Sequence, residues 1–114
     1  MKDFKYLRLY DLYGALLTEH QRDLCELYYM CDLSLTEIAE QNQSSKQSVS
    51  DALSTSRALL DGYEEKLRLG ELQGELSALK AGIAAFAAEH PEHADAMESI
   101  VKDARGATTV RAKD

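Results

Sequence analysis

Residues 17–60 have the sequence LTEHQRDLCELYYMCDLSLTEIAEQNQSSKQSVSDALSTSRALL, and this stretch decides the fold. Thr18 is a strong helix N-cap, because its hydroxyl can accept a hydrogen bond from an unpaired backbone N–H of the helix that follows. Ser34 starts a second helix, and the glutamate three residues later completes a capping box. The serine pair at 44–45 supplies a turn and a third cap. This spacing indicates a helix-turn-helix, which presents its last helix to a partner, usually the major groove of DNA.

Apolar residues recur at helical spacing through this stretch and predict the faces that pack together. The small Ala39 suits a close helix crossing. The predicted core residues are Leu24, Leu27, Tyr28, Cys31, Ile38, Ala39, Val49, Leu53, Leu59 and Leu60.

The order of these features resembles the C-terminal promoter-reading region of bacterial sigma factors, region four. The similar segments are LTEHQRDLCELYY, SLTEIAE and SSKQSVSDAL. Two flanking segments, FKYLRLYDLYGALLT and LLDGYEEKLRL, narrow the resemblance to the YlxM-like family of bacterial proteins, over about the first two thirds of the chain. The resemblance implies an all-α fold and an accessory role in the signal recognition particle pathway, with protein or RNA components of the particle as partners.

The chain departs from the sigma-like pattern at the turn, where a glycine and an aliphatic residue are replaced by Gln43 and Ser44. Glycine adopts positive φ without strain, so Gln43 argues against the usual tight turn. Ser44 removes an apolar contact between the two helices, a loss of about 1 kcal/mol.

The outward face of the last helix carries the candidate nucleic-acid- or partner-binding residues, which are Lys46, Gln47, Ser50, Asp51, Ser54 and Arg57. From Ser34 to Leu60 the chain has two cations and three anions, a net charge of −1. Phosphate neutralisation supplies most non-specific DNA affinity, so this face favours a protein or ribonucleoprotein partner. The alternative is a dimeric transcription regulator that reads DNA through the same residues.

Composition narrows the function classes further. The 114-residue chain has a net charge of −7 and a pI near 4.9, divided as −3 over residues 1–60 and −4 over residues 61–114, which argues against a general nucleic-acid binder. The N-terminal sequence is too polar for a signal peptide, and no apolar run could span a membrane, so we expect a cytoplasmic protein. The sequence contains no glycine-rich phosphate loop, no nucleophile elbow and no paired metal ligands. We therefore expect no enzymatic activity, cofactor, metal or small-molecule substrate.

Cysteines and histidines give no metal-ligand pattern. Cys25 and Cys31 are six residues apart on one expected helix, so their side chains point in different directions and we expect two buried free thiols. His90 and His93 flank Pro91, and we interpret this segment as a solvated turn and not as a metal site.

The N-terminal helix has an aromatic face formed by Tyr6, Leu9, Tyr10, Tyr13, Leu16 and Leu17. The tyrosines could stack on single-stranded RNA bases. We favour the other interpretation, in which this helix covers the back of the helix-turn-helix with the hydroxyls at the rim, because the aromatics alternate with leucines at core spacing. Lys2, Lys5 and Arg8 form a weak basic patch beside it.

The last third of the chain carries a heptad seam, Leu69, Leu72, Leu76, Leu79, Ile83 and Phe86, which ends before Pro91. Two packings are open. The seam could be covered by Met97, Ile100 and Val101 of the same chain, or by a second copy. We predict a homodimer, since so narrow a stripe on so small a chain usually needs a partner.

The whole pattern predicts an all-α chain, a sigma region four-like helix-turn-helix domain with a C-terminal helical extension. We place the helix-turn-helix domain at residues 1–67, the helical arm or hairpin at 68–105, and a disordered tail at 106–114. The expected helices are Asp3–Leu16, Glu19–Asp32, Leu35–Gln41, Lys46–Leu69, Glu71–Glu89 and Glu92–Arg105, with the option that the fourth and fifth are continuous.

Overall fold

The structure, a computed structural model, describes the backbone of residues 2–113 and the side chains of residues 2–105. Over this range it has no strand, and its six α-helices are α1 (Phe4–Tyr13), α2 (Glu19–Cys25), α3 (Leu35–Asn42), α4 (Lys46–Leu67), α5 (Leu69–Glu89) and α6 (Ala94–Lys113). A 3₁₀ turn, Gly14–Leu16, continues α1, and a π-helical turn, Glu26–Met30, continues α2. A second 3₁₀ turn, Pro91–His93, precedes α6. The all-α prediction is confirmed.

The chain forms two compact units, residues 1–71 and 72–114. The core of the first unit lies where α1, α2 and α3 pack on α4. Its buried hydrophobic residues are Leu9, Tyr13, Leu17, Leu24, Cys25, Ile38, Ala39, Val49, Leu53 and Leu60, with Leu27, Tyr28 and Leu59 half-buried against them. The periodicity of residues 17–60 therefore predicted most of this core.

Side-chain caps start the helices of the first unit where the sequence placed them. The Thr18 hydroxyl accepts from the backbone N–H of Gln21 at 3.2 Å, and the Gln21 side chain accepts in return from the Thr18 N–H at 3.0 Å. Ser34 and Glu37 form the same reciprocal pair at 3.1 and 3.0 Å. The backbone N–H groups in the first turn of a helix have no acceptor within the helix, and these capping boxes supply one. They therefore fix the starts of α2 and α3.

The turn between α3 and α4 corrects the expectation drawn from Gln43. This residue adopts the left-handed conformation, with φ 54° and ψ 42°. The N–H of Ser44 donates to Ala39 O at 2.9 Å and the N–H of Gln43 to Glu40 O at 3.3 Å, the pattern of a Schellman motif. The tight turn thus forms without glycine, because these two hydrogen bonds hold a strained residue in place.

Replacing Gln43 with glycine should stabilise the first unit by about 0.5–1 kcal/mol, since glycine adopts this conformation without a Cβ clash. The measurement is the urea midpoint followed by near-UV circular dichroism. The matched control is Asn42→Gly, one residue earlier inside α3, which should lower stability by a similar amount. A loss of stability in Gln43→Gly would show that the turn carries no strain.

The π-helical turn overturns the prediction that both thiols are buried. Cys25 is fully buried but Cys31 is exposed. The wider π turn lies between the two cysteines, so Cys31 no longer follows the 3.6-residue period of the preceding stripe. Asp32 then leaves the helix at φ 57°. A regular helix assumed from the sequence could not reveal this change of face.

Helices α4 and α5 are separate, because Arg68 takes the left-handed conformation between them at φ 54°. The option of one continuous helix is therefore wrong. At the other end, the backbone of α6 runs to Lys113. The side chains of the tail predicted to be disordered, 106–114, lie outside the described residues, and that expectation stays a prediction. No helix in the described part of the chain has both the length and the apolarity needed to cross a membrane.

Candidate partner-binding surfaces

The outward face of α4 follows the Schellman turn and begins at Ser45, whose hydroxyl accepts from the Ser48 N–H at 3.0 Å. Of the six candidate residues, Lys46, Gln47, Asp51 and Ser54 are exposed, whereas Ser50 and Arg57 are partly buried. The Gln47 side-chain amide donates to Asp51 Oδ1 at 2.8 Å, so these two side chains form one ordered polar pair. The start of α4 thus presents amide, hydroxyl and carboxylate groups together with a single lysine.

Arg57 is oriented toward the protein and not toward an incoming partner. Its guanidinium donates to the Tyr29 hydroxyl at 3.3 Å and to the Ser54 hydroxyl at 3.0 Å. It also lies 5.9 Å from the centre of the Tyr6 ring, within the range of a cation–π contact. Arg57 therefore helps to hold α4 against α1 and the π turn, and Lys46 is the cation that projects from the candidate face.

An open cleft beside Lys46 extends this surface and includes residues that sequence reasoning missed. The cleft, of about 650 Å³, is also lined by Thr36 and Glu37 at the start of α3 and by Lys2 and Tyr28. Lys2 lies far from α4 in the sequence and outside the helical periodicity, so no sequence signal placed it here. Thr36 could have been found, because it lies in the first turn of a well-capped helix.

Two residues of the basic patch at the N-terminus, Lys2 and Lys5, are paired within the protein, and Arg8 is exposed. Lys2 Nζ donates to the carbonyl oxygens of Tyr28 and Leu33, each at 2.6 Å, and forms an ion pair with Asp32 at 3.1 Å. Lys5 pairs with Asp61 at 3.1 Å. Lys2 thereby closes the C-terminal end of the α2 segment, which is a structural task and leaves little charge for a phosphate backbone.

The tyrosines of α1 cover the helix-turn-helix as expected, with their hydroxyls at the rim. Tyr6 donates to Asp61 at 2.9 Å and Tyr10 to Glu26 at 2.9 Å. Burial, followed by the hydrogen bond to Glu26, raises the pKa of Tyr10 to about 12, so its hydroxyl stays protonated as a donor. Rings packed and hydrogen-bonded in this way do not form an open platform for bases.

Glu64 links α1, α4 and the first turn of α5. The Tyr13 hydroxyl donates to Glu64 Oε1 at 2.7 Å and accepts from the Leu69 N–H at 2.8 Å. The backbone N–H groups of Gly70 and Glu71 donate to the same carboxylate at 2.9 and 3.2 Å. A Cβ on residue 70 would lie 2.9 Å from a carboxylate oxygen, so glycine permits this close approach. The carboxylate caps α5 from the preceding helix.

This network should make stability depend on pH. The donated bond from Tyr13, and then that from Gly70, lower the pKa of Glu64. A carboxyl group whose pKa is lower in the folded state than in the unfolded state stabilises the protein at pH values above its ordinary pKa. This stabilisation is lost as the pH falls through the lowered pKa. We expect Glu64→Gln to be less stable at pH 7 and to lose less stability on acidification to about pH 4. Urea midpoints at several pH values measure both effects, and Glu65→Gln, an exposed neighbour, should match the parent protein.

Helix α5 exposes most of the predicted seam. Leu69, Leu72, Leu76, Leu79 and Phe86 are all at least 41% exposed, and Ile83 is partly buried. A cleft between α5 and α6 is lined by Ile83, Ala87, Met97 and Val101, among others. Leu76 and Leu79 line a second cleft with Ile100 and Val101 of α6. Helix α6 therefore lies along one side of the seam, and about half of the surface of these two leucines remains exposed.

The described residues contain no group of histidine, cysteine or acidic side chains able to hold a metal ion. His90 stacks on Phe86 with ring centres 4.2 Å apart, and His93 lies 6.1 Å from the same ring. In this arrangement the two histidines pack against Phe86 at the turn between α5 and α6.

Comparisons with known proteins identify similar chains over most of this length. A family model of helix-turn-helix proteins described as "YlxM / p13 like" matches residues 1–100. A UPF0122 protein of Clostridium kluyveri is 47% identical over 78 residues, which cover 68% of this chain and 70% of the relative. A UPF0122 protein of Thermoanaerobacter is 44% identical over 86 residues, covering 71% and 74%. One from Bacillus cereus is 39% identical over 94 residues, covering 82% and 86%.

Proposed function

Because the chain belongs to the family of YlxM/p13-like helix-turn-helix proteins, we propose that it is a non-enzymatic accessory or regulatory protein of the signal recognition particle pathway. In this role the outward face of α4 binds a protein or ribonucleoprotein component of that pathway. The pathway is cytoplasmic, and so is the proposed location.

The observation that carries the proposal is the chemistry of the α4 face. Its ordered Gln47–Asp51 pair and exposed Ser54 offer directional hydrogen bonds and no concentration of positive charge. Polar residues of this kind suit the rim of a protein interface, where hydrogen bonds give specificity.

The same face argues against a DNA-reading role. Lys46 is the cation that projects there, since Arg57 is held by Tyr29 and Ser54. Asp51 adds a carboxylate that phosphates would repel. A gel shift with genomic fragments near 50 mM salt, where phosphate contacts are strongest, should give no shifted band. A clear band that Lys46→Ala weakens on every fragment would favour DNA binding instead.

Placing arginine at Gln47 and Ser50 should weaken partner binding about tenfold or more, because two bulky charges enter the face and the Gln47–Asp51 hydrogen bond is lost. The assay is a pull-down, followed by titration, with the particle's GTPase, its RNA and the docking receptor. Glu65→Arg is the matched control, since it lies exposed on α4, 18 residues or about 27 Å from Gln47. If none of the three components binds the unmodified protein, the proposed pathway is wrong.

We also propose that the protein is a homodimer that buries the open seam of α5. The support is the set of large apolar side chains exposed along one face of α5, which monomeric proteins seldom leave uncovered. Sedimentation of the unmodified protein at micromolar concentration tests this, and a monomer alone would contradict it. A dimer would present two α4 faces, and a paired surface binds a paired partner more tightly than one copy does.

A further inference from the structure

The charged residues beside the seam specify how two copies would pair. In heptad terms Leu69, Leu76 and Ile83 occupy position a, and Leu72, Leu79 and Phe86 occupy position d. The flanking e and g positions are where charges set orientation and partner choice in coiled coils. Between Leu72 and Phe86 these are Gln73 and Lys80 at e, and Glu75 and Gly82 at g.

Glu75 and Lys80 are the two charged residues among these flanking positions, and both are exposed. Neither takes part in an ion pair within the described part of the chain. A Cβ on Gly82 would meet nothing within 4 Å, so the g side of α5 is open to a close neighbour. Glu75 and Gly82 thus leave the g side of the seam open, whereas Lys80 lies on the e side, where α5 faces α6.

We propose that two copies of this chain pair through α5 in a parallel, in-register arrangement, with Glu75 of each copy opposite Lys80 of the other. This inference rests on the proposed homodimer and adds its orientation. In a parallel pair, a g residue faces the e residue five positions later on the partner, which joins opposite charges twice. In an antiparallel pair g faces g and e faces e. With Leu72 opposite Ile83, Glu75 would then face Gly82 and Lys80 would face Gln73, so neither would meet an opposite charge.

The surroundings of Lys80 support the same orientation. Lys80 lines the cleft between α5 and α6 together with Lys102, and Glu98 is the one carboxylate among its lining residues. A glutamate of a second copy that approaches this edge therefore meets three basic residues and one acid. The described remainder of the second unit is acidic, so this edge is where a carboxylate is best received.

The exposed apolar area is sufficient for a weak but specific pair. The five open seam residues are 41–62% exposed. Together they expose roughly 450 Å² of apolar surface per copy. A pair would bury on the order of 1,000 Å² in total, the lower limit for a specific interface. Affinity at that limit depends on flanking charges, which is why the orientation can be tested through Glu75 and Lys80.

Disulfide trapping tests the orientation in the full chain. With Cys31→Ser as the background, Leu72→Cys should form a covalent dimer under mild oxidation, because equal d positions touch in a parallel pair. In an antiparallel pair centred on the seam the two introduced thiols would lie about 16 Å apart and stay unlinked. Ala81→Cys, on the opposite face of α5, is the control and should not link. Preferential linkage between mixed Leu72→Cys and Ile83→Cys chains would overturn the proposal in favour of the antiparallel pair.

Charge exchange provides a second, independent readout. Glu75→Lys or Lys80→Glu alone should raise the dissociation constant about tenfold, since each creates two like-charge pairs. The combined Glu75→Lys/Lys80→Glu variant should return close to the parent value. Failure of the double variant to recover would overturn the parallel arrangement. A monomeric parent protein would instead remove the dimer itself, and neither outcome bears on whether α4 binds a partner.

Discussion

Replacing both Leu76 and Leu79 with glutamate should convert the proposed dimer into a monomer, with an association at least about 10³-fold weaker. The two leucines are 49% and 62% exposed in the single chain, so the glutamates are tolerated there. In the pair they would place four carboxylates in a desolvated seam, and each buried, unpaired charge costs several kcal/mol. Sedimentation measures the change of mass.

The first unit reports separately whether the variant stays folded. All six tyrosines of the chain lie within residues 1–71, so near-UV circular dichroism follows that unit alone. Its signal and melting temperature should be unchanged in the double variant. Ala78→Glu/Ala81→Glu adds the same charge on other faces of α5 and should remain dimeric. Loss of helix content without a change of mass would mean that α6 of the same chain covers the seam.

Replacing Leu53 with alanine should destabilise the helix-turn-helix unit by about 3 kcal/mol. Leu53 is 1% exposed and lies on the face of α4 that contacts the other helices of the unit. Its removal combines lost burial with a cavity that four packed helices cannot close. For a unit of this size we expect the melting temperature to fall by more than about 10 °C.

The control for this prediction lies on the same helix. Leu67 is 53% exposed, and its replacement by alanine should lower stability by less than about 1 kcal/mol. Urea unfolding followed by the tyrosine near-UV signal gives both values. Similar losses at Leu53 and Leu67 would contradict the assignment of the core to the inner face of α4.

Local rules in the sequence were enough to place the helices. The capping boxes at Thr18 and Ser34 satisfy backbone donors through residues three positions apart, so they are readable from the chain alone. Apolar periodicity found Ile38, Val49, Leu53 and Leu60 for the same reason, because a helix repeats its faces every few residues. The six helices and most of the first core follow from such short-range patterns.

The prediction from the sequence was wrong where contacts with residues distant in the chain hold an irregular turn. The π turn moved Cys31 out of the buried stripe, and its end is held by Lys2, some 30 residues away in the chain. Gln43 shows the opposite case, since two backbone hydrogen bonds secured a turn that its side chain disfavours.

The sequence by itself determined the all-α class, the helix-turn-helix order, the caps and the heptad seam, since all of these depend on spacing within one or two helices. Only the tertiary structure decided the roles of individual charged side chains. Arg57 looked like a partner-binding residue, yet Tyr29 from the π turn holds it. Glu64 looked like one of many surface acids, yet Tyr13 and the start of α5 converge on it. The physical reason is that a charged side chain takes its role from the donors or acceptors around it, and here these come from residues distant in the chain.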